Sequence, residues 1–134
     1  MNKETDLDRI VESDREAPET VEDLLSEPSR ALATKMLCEV TFENRFIGYK
    51  LRERAGAIPV TSYSFEEIVN LLKDQLPHIN FEVMERWVRV VMGDEELADK
   101  IAEAREKGES DHERTLLVRD LAETRLKQCK ALTA

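Results

Sequence analysis

The sequence has few of the residues on which several protein classes depend. Aromatic residues make up 5% of the chain, and glycine and proline occur four times each. A low aromatic content disfavours β-sandwiches, whose strands rely on aromatic and β-branched side chains. No uncharged stretch approaches the roughly 18 residues that cross a bilayer, and the first ten residues lack the apolar core of a signal peptide. We therefore expect no membrane association.

Cysteine and histidine are also scarce, with two of each. Cys38 and Cys129 have no CxxC or CxxH spacing, which is typical of reduced thiols in a cytoplasmic protein, the alternative being a disulfide between the first and last helices. His78 and His112 both lie at predicted helix boundaries, and the isolated glycines form no phosphate-binding loop. The sequence thus predicts no catalytic residue, no cofactor and no metal site, and the protein is not expected to be an enzyme.

The net charge of -9 is concentrated at the N-terminus. Residues 1–28 carry ten acidic and three basic side chains and contribute -7, which leaves only -2 for residues 29–134. Few large apolar residues accompany this charge, although Leu7, Ile10 and Val11 have helical spacing. We therefore expect an acidic, mostly disordered N-terminal arm (1–28) followed by one helical domain (29–134).

The apolar spacing after residue 28 predicts five helices. The first is expected from Ser29 to Arg54, with apolar residues on two of its faces. The segment Ala57–Tyr63 contains β-branched residues and Pro59 but no evident partner strand, so we interpret it as a loop. The predicted fold is all-α, an irregular or orthogonal five-helix bundle with a long central first helix.

Local signals mark the boundaries and the packing of these helices. Gly48 lies within the first predicted helix, where glycine costs about 1 kcal/mol relative to alanine, which indicates a close helix crossing or a kink. Trp87 shares an apolar stripe with Met84 and Val88 and is expected in the core. Side chains of the capping type precede four segments, and the expected N-caps are Ser64, Asn80, Asp94 and Ser110.

Two apolar groups point to a partner. One lies in the arm and fits either the groove of another protein or the protein's own body, and the other is the second face of the first helix, typical of a central helix or a dimer seam. The candidate partner-binding residues are Val21, Leu24, Leu25, Phe42, Phe46 and Tyr49. The preferred function is therefore a non-enzymatic helical protein-interaction or regulatory module that binds a protein partner or self-associates, for example as a homodimer.

Two other functions remain open. A nucleic-acid-associated protein would bind phosphate through basic first and last helices, with the acidic arm in competition. Its candidate anion-binding residues are Arg45, Arg52, Arg119 and Lys127. The less favoured alternative is a metal-carboxylate enzyme, whose candidate ligands are Glu39, Glu43, Glu66 and Glu67.

Overall fold

The computed structural model describes residues 25–133, and these residues form five α-helices and a three-stranded antiparallel sheet. The prediction of an all-α helical bundle is therefore wrong. The strand order is β2-β1-β3. The helices are α1 (Arg30–Met36), α2 (Phe65–Leu72), α3 (Phe81–Trp87), α4 (Glu95–Lys107) and α5 (Asp111–Thr133), and the strands are β1 (Phe46–Arg52), β2 (Gly56–Ser62) and β3 (Pro77–His78).

The largest correction concerns the predicted first helix from Ser29 to Arg54. Helix α1 ends at Met36, a short 3-10 turn follows at Phe42–Asn44, and strand β1 runs from Phe46 to Arg52. Strand β2 occupies most of the predicted loop Ala57–Tyr63 and pairs with β1 along its whole length. The helical spacing of the aromatic residues was coincidental, because pairing with β2 satisfies the backbone of β1 instead.

Gly48 shows why β1 lies where it does. A Cβ atom at this position would lie 2.5 Å from Cδ2 of Leu71 in α2, far inside van der Waals contact. Glycine therefore allows α2 to cross directly over the strand. The predicted close approach at Gly48 exists, but it joins a strand to a helix rather than two helices.

The predicted N-caps are confirmed. Each of the four side chains accepts a hydrogen bond from a backbone N–H in the first turn of its helix, which satisfies one of the donors that a helix start leaves unpaired. The bonds run to Ser64 Oγ from Glu67 (3.2 Å), to Asn80 Oδ1 from Glu82 and Val83 (3.0 and 3.1 Å), to Asp94 Oδ1 from Leu97 (3.0 Å) and to Ser110 Oγ from Glu113 (3.1 Å).

Helix α5, and not the N-terminal helix, is the centre of the helical layer, because α1, α2 and α4 all pack against it. Trp87 is buried as predicted and joins this layer to the sheet. Its ring meets Phe46 edge-on at 6.1 Å, and its Nε1 donates to the Asn44 carbonyl at 2.6 Å. Within residues 25–133, no helix combines the length and the apolar character that crossing a membrane requires.

Candidate protein-interaction surface

The β1–β2 hairpin has two chemically different faces because side chains alternate along a strand. Phe46 and Gly48 belong to the inner face, which packs against the helical layer. On the opposite face the register places Ile47, Tyr49 and Leu51 beside residues of β2 and of the β3 region. The Leu51 N–H donates to the Leu76 carbonyl at 2.9 Å, which extends that register by one residue. We call this surface the outer face, and it comprises Ile47, Tyr49, Leu51, Ala57, Pro59, Thr61, Leu76 and His78.

The outer face is apolar and open to solvent. Its four largest apolar side chains retain substantial exposure: 43% for Ile47, 37% for Tyr49, 38% for Leu51 and 54% for Leu76. None of the eight residues is an acid, a lysine or an arginine, and the His78 ring lies 6.4 Å from that of Tyr49. Contiguous exposed apolar surface of this kind is typical of binding sites rather than of solvated faces.

The free edge of β2 is partly blocked against the addition of another strand. Because Leu51 directs its N–H toward β3, backbone groups of the even-numbered β1 residues point toward β2. In the observed register, the backbone groups of Ala57, Pro59 and Thr61 therefore point away from β1. Pro59 has no N–H, so the middle of this edge lacks a donor. A partner is accommodated better on the outer face than along the edge.

The hairpin that carries the outer face is basic. Residues 45–54 contain four basic side chains and one acidic one: Arg45, Lys50, Arg52 and Arg54 against Glu53. Asp74 neutralises part of this charge, since it accepts two hydrogen bonds of 3.2 Å from Arg52 and lies 3.7 Å from the Lys50 ammonium. The bond from Arg52 lowers the pKa of Asp74 below its ordinary value. The hairpin keeps an excess of positive charge, but Lys50 and Arg52 lie on the inner side of β1, so this charge borders the outer face only through Arg45 and Arg54 at the two ends of β1.

The structure separates the residues predicted to bind a partner. Phe46 is buried in the core, Tyr49 lies on the outer face, and Phe42 is 61% exposed with the Arg45 guanidinium 3.8 Å from its ring centroid. They therefore do not form one face of a helix. Of the arm residues, Leu25 is buried against the body, and the remaining two, Val21 and Leu24, lie outside the described residues.

The residues predicted to bind an anion fall into two groups. Arg45 and Arg52 flank β1, where Arg45 donates to the Phe42 carbonyl at 2.8 Å and Arg52 is held by Asp74. Arg119 and Lys127 belong to α5. The phosphate-binding function predicted for the four residues stays a prediction.

The predicted carboxylate ligands have other bonding partners or lie on the surface. Glu66 accepts from the Lys130 ammonium at 2.8 Å, and Glu67 accepts from the Tyr63 N–H at 2.6 Å, while Glu39 and Glu43 are exposed. Over the described range 25–133, no three histidine, cysteine, aspartate or glutamate side chains gather as metal ligands would.

A second cluster, which the sequence did not predict, surrounds the buried side chain of Arg125. We call it the Arg125 clasp, and it comprises Ser26, Asp94, Glu96, Arg125 and Gln128. Arg125 and Asp94 are each 1% exposed, with Arg125 Nε 2.8 Å from Asp94 Oδ2. The guanidinium also donates to the Ser26 carbonyl, the Glu96 carboxylate and the Gln128 side chain, each at 2.9 Å. The clasp therefore ties the start of α4 and the middle of α5 to the chain at residue 26.

Glu96 and Gln128 complete the attachment of residues 25 and 26. Glu96 accepts from the Ser26 N–H at 3.0 Å and from its hydroxyl at 2.8 Å, and Gln128 donates to the Leu25 carbonyl at 3.2 Å. Burial of Glu96 opposes its charged form, but these bonds and the one from Arg125 outweigh burial and lower its pKa. The sequence contained no signal for this cluster, since its members lie up to about a hundred positions apart.

The outer face was not predicted because the spacing of its apolar residues was interpreted as the repeat of a helix, whereas it is the two-residue alternation of a strand. Phe46 to Arg52 also fits the two-residue alternation of a strand, and Arg52 and Gly56 bracket a short turn before a second run of β-branched residues. Pairing those two runs would have placed Ile47, Tyr49 and Leu51 on one surface.

No family model, no curated protein and no solved structure matches this chain. Its function must be inferred from the geometry of the chain itself.

Proposed function

We propose that this protein is a non-enzymatic protein-interaction module that binds a short, acidic, amphipathic segment of a partner on the outer face. The observation that carries this proposal is the exposed, largely apolar surface of eight residues from the hairpin and the β3 region, beside a hairpin with excess positive charge. Two cysteines that are both free thiols, Cys38 and Cys129, favour a cytoplasmic location, which we include in the proposal.

The size of the outer face favours a short segment over a folded partner. Stable complexes of folded proteins bury about 800 Å² per partner and use 20–30 residues on each side. The outer face has eight residues, which is a fraction of that number. A surface of this size suits the few side chains by which an amphipathic helix binds a groove. The same comparison of interface size disfavours a homodimer through this face. Two copies would also bring two basic hairpins together.

The charge of the hairpin favours an acidic segment over nucleic acid. The outer face has no lysine or arginine, so it offers phosphate no cation at its centre. Apolar side chains of a segment would cover Ile47, Leu51 and Leu76, while its carboxylates would approach Arg45 and Arg54 at the two ends of β1.

Photo-cross-linking tests the proposed function in the full chain. A photoreactive phenylalanine analogue replaces Tyr49 in cells of the source organism, and the same analogue at Asp120, an exposed residue of α5, serves as the control. We expect adducts from position 49 whose cross-linked peptides are acidic and amphipathic, with a much lower yield after Ile47→Lys. Adducts absent at position 49, or equally abundant from position 120, would contradict the proposal.

A further inference from the structure

We propose that the chain's own residues 4–14 occupy the outer face in the absence of a partner. The inference rests on the proposed function, because it assigns a specific occupant to the same surface. Residues 4–14 lie outside the described residues. Their sequence, the point at which the described chain begins and the chemistry of the outer face support this placement.

The sequence of this segment matches the face in polarity. Leu7, Ile10 and Val11 have the i, i+3, i+4 spacing that places side chains on one side of a helix. Residues 4–14 also contain five acidic side chains and one arginine, a net charge of -4. The segment thus combines an apolar stripe for an uncharged face with negative charge for a basic hairpin.

One member of the other apolar group near the N-terminus, Leu25, belongs to the core. Leu25 is 3% exposed within the core, and the Arg125 clasp holds the backbone at residues 25 and 26. A residue fixed in the core is unavailable for the outer face. The stripe of Leu7, Ile10 and Val11 is then the apolar group of residues 1–24 with the spacing to cover that face.

The attachment point permits the contact. The chain leaves the described body at Leu25, and the 14 residues back to Val11 span up to about 46 Å when extended. A domain of the described length has a diameter of roughly 34 Å. The extended segment therefore reaches most of the surface of a body of this size, and its tether gives it a high effective concentration there.

The test uses purified full-length chain, with the photoreactive analogue at Tyr49 and a mixture of light and heavy isotope-labelled copies. We expect cross-links to residues 4–14 within one copy. The double variant Leu7→Ser/Ile10→Ser should lower their yield by roughly fivefold or more, because it removes two of the three apolar side chains of the stripe. Val21→Ser removes a comparable apolar side chain outside the stripe, and this matched control should retain the wild-type yield.

Each other outcome overturns the inference. Cross-links between light and heavy copies would place a second copy on the face, and the absence of cross-links to residues 1–24 would leave the face open. Neither result contradicts the proposed function, which fails only if position 49 also captures no acidic partner segment. If both proposals hold, Leu7→Ser/Ile10→Ser should raise the yield of partner adducts in cells, since it removes the competitor.

Discussion

The Arg125 clasp and the outer face reverse the usual placement of charged and apolar side chains. At the clasp, a guanidinium and a carboxylate are each 1% exposed and are surrounded by further polar partners. On the outer face, Ile47, Tyr49 and Leu51 are each more than a third exposed. Burying a charge is costly unless it is fully paired, whereas leaving an apolar side chain in water forgoes the gain from its burial.

This difference in burial separates the residues that stabilise the fold from those that are available for binding. The two terminal nitrogens of the Arg125 guanidinium donate four hydrogen bonds, and its Nε lies 2.8 Å from Asp94 Oδ2 in an ion pair without hydrogen-bond geometry, so the charge pairing of the clasp is complete without any other molecule. The outer face, in contrast, lacks packing partners, because one side of its apolar side chains faces solvent. We therefore expect substitutions in the clasp to reduce stability and substitutions on the outer face to reduce binding.

The largest effect is expected at Arg125. Replacing it with alanine leaves Asp94 buried without its counter-charge, which should reduce the free energy of unfolding by about 3–5 kcal/mol. Arg119→Ala changes a half-buried arginine on the same helix and should cost no more than about 0.5 kcal/mol. Urea denaturation of both variants measures the difference. A loss at Arg125 no larger than that at Arg119 would show that the clasp does not hold the fold.

Substitutions at two neighbouring residues of β1 should differ nearly as much in their effect on the free energy of unfolding. Phe46 is 2% exposed and contacts the Trp87 ring, so Phe46→Ala should cost about 3–5 kcal/mol. Ile47 points to the outer face, and Ile47→Ala should cost less than about 1 kcal/mol, mostly from lost strand propensity. Thermal or urea unfolding of the two variants gives the comparison. Similar losses would mean that Ile47 is packed in the core as Phe46 is and does not belong to an exposed outer face.

A smaller loss is expected where α2 crosses β1. The new methyl group of Gly48→Ala would meet the Leu71 side chain, and relieving this overlap should cost about 1–3 kcal/mol. Leu71→Val makes room, so the double variant should lose less stability than the sum of the single variants. Additive losses in a double-mutant cycle would mean that Leu71 is not the side chain in conflict.

The smallest effect is expected from pH. Hydrogen bonding lowers the pKa of both Asp74 and Glu96 below their ordinary values of 3.8 and 4.5. A carboxyl with a lowered folded-state pKa stabilises the fold above its ordinary pKa, and this stability is lost as the pH falls through the folded-state value. The free energy of unfolding should therefore fall below about pH 4.5, and less steeply in Glu96→Gln and Asp74→Asn. Parallel slopes for all three proteins would exclude this contribution.

The helix starts could be predicted because their signals lie within a few residues of each other. Strand pairing depends on residues far apart in the chain and could not be predicted. Ser64, Asn80, Asp94 and Ser110 were recognised because an N-cap bonds to a backbone group two or three residues away. The stretch from Phe46 to Arg52 fits a helix and a strand about equally, and the choice depended on a pairing with Gly56–Ser62 that propensity does not encode.

The candidate sites show the same difference between local and non-local signals. Tyr49 was predicted to bind a partner as part of a helix face, but Ile47, Leu51 and Leu76 join it only through the register of three strands. The sequence does not distinguish Arg125 from the other basic residues of α5, since a buried arginine is recognisable only once its partner Asp94 is known to face it.

The claim that the outer face binds a partner without supporting the fold is tested most directly by the double variant Ile47→Lys/Leu51→Lys. Its free energy of unfolding is measured on the purified full-length chain, and its yield of partner adducts from position 49 is measured in cells. We expect the free energy to stay within about 1 kcal/mol of the parent and the cross-links to disappear. A variant that unfolds, or one that is stable and cross-links as the parent does, would contradict that claim.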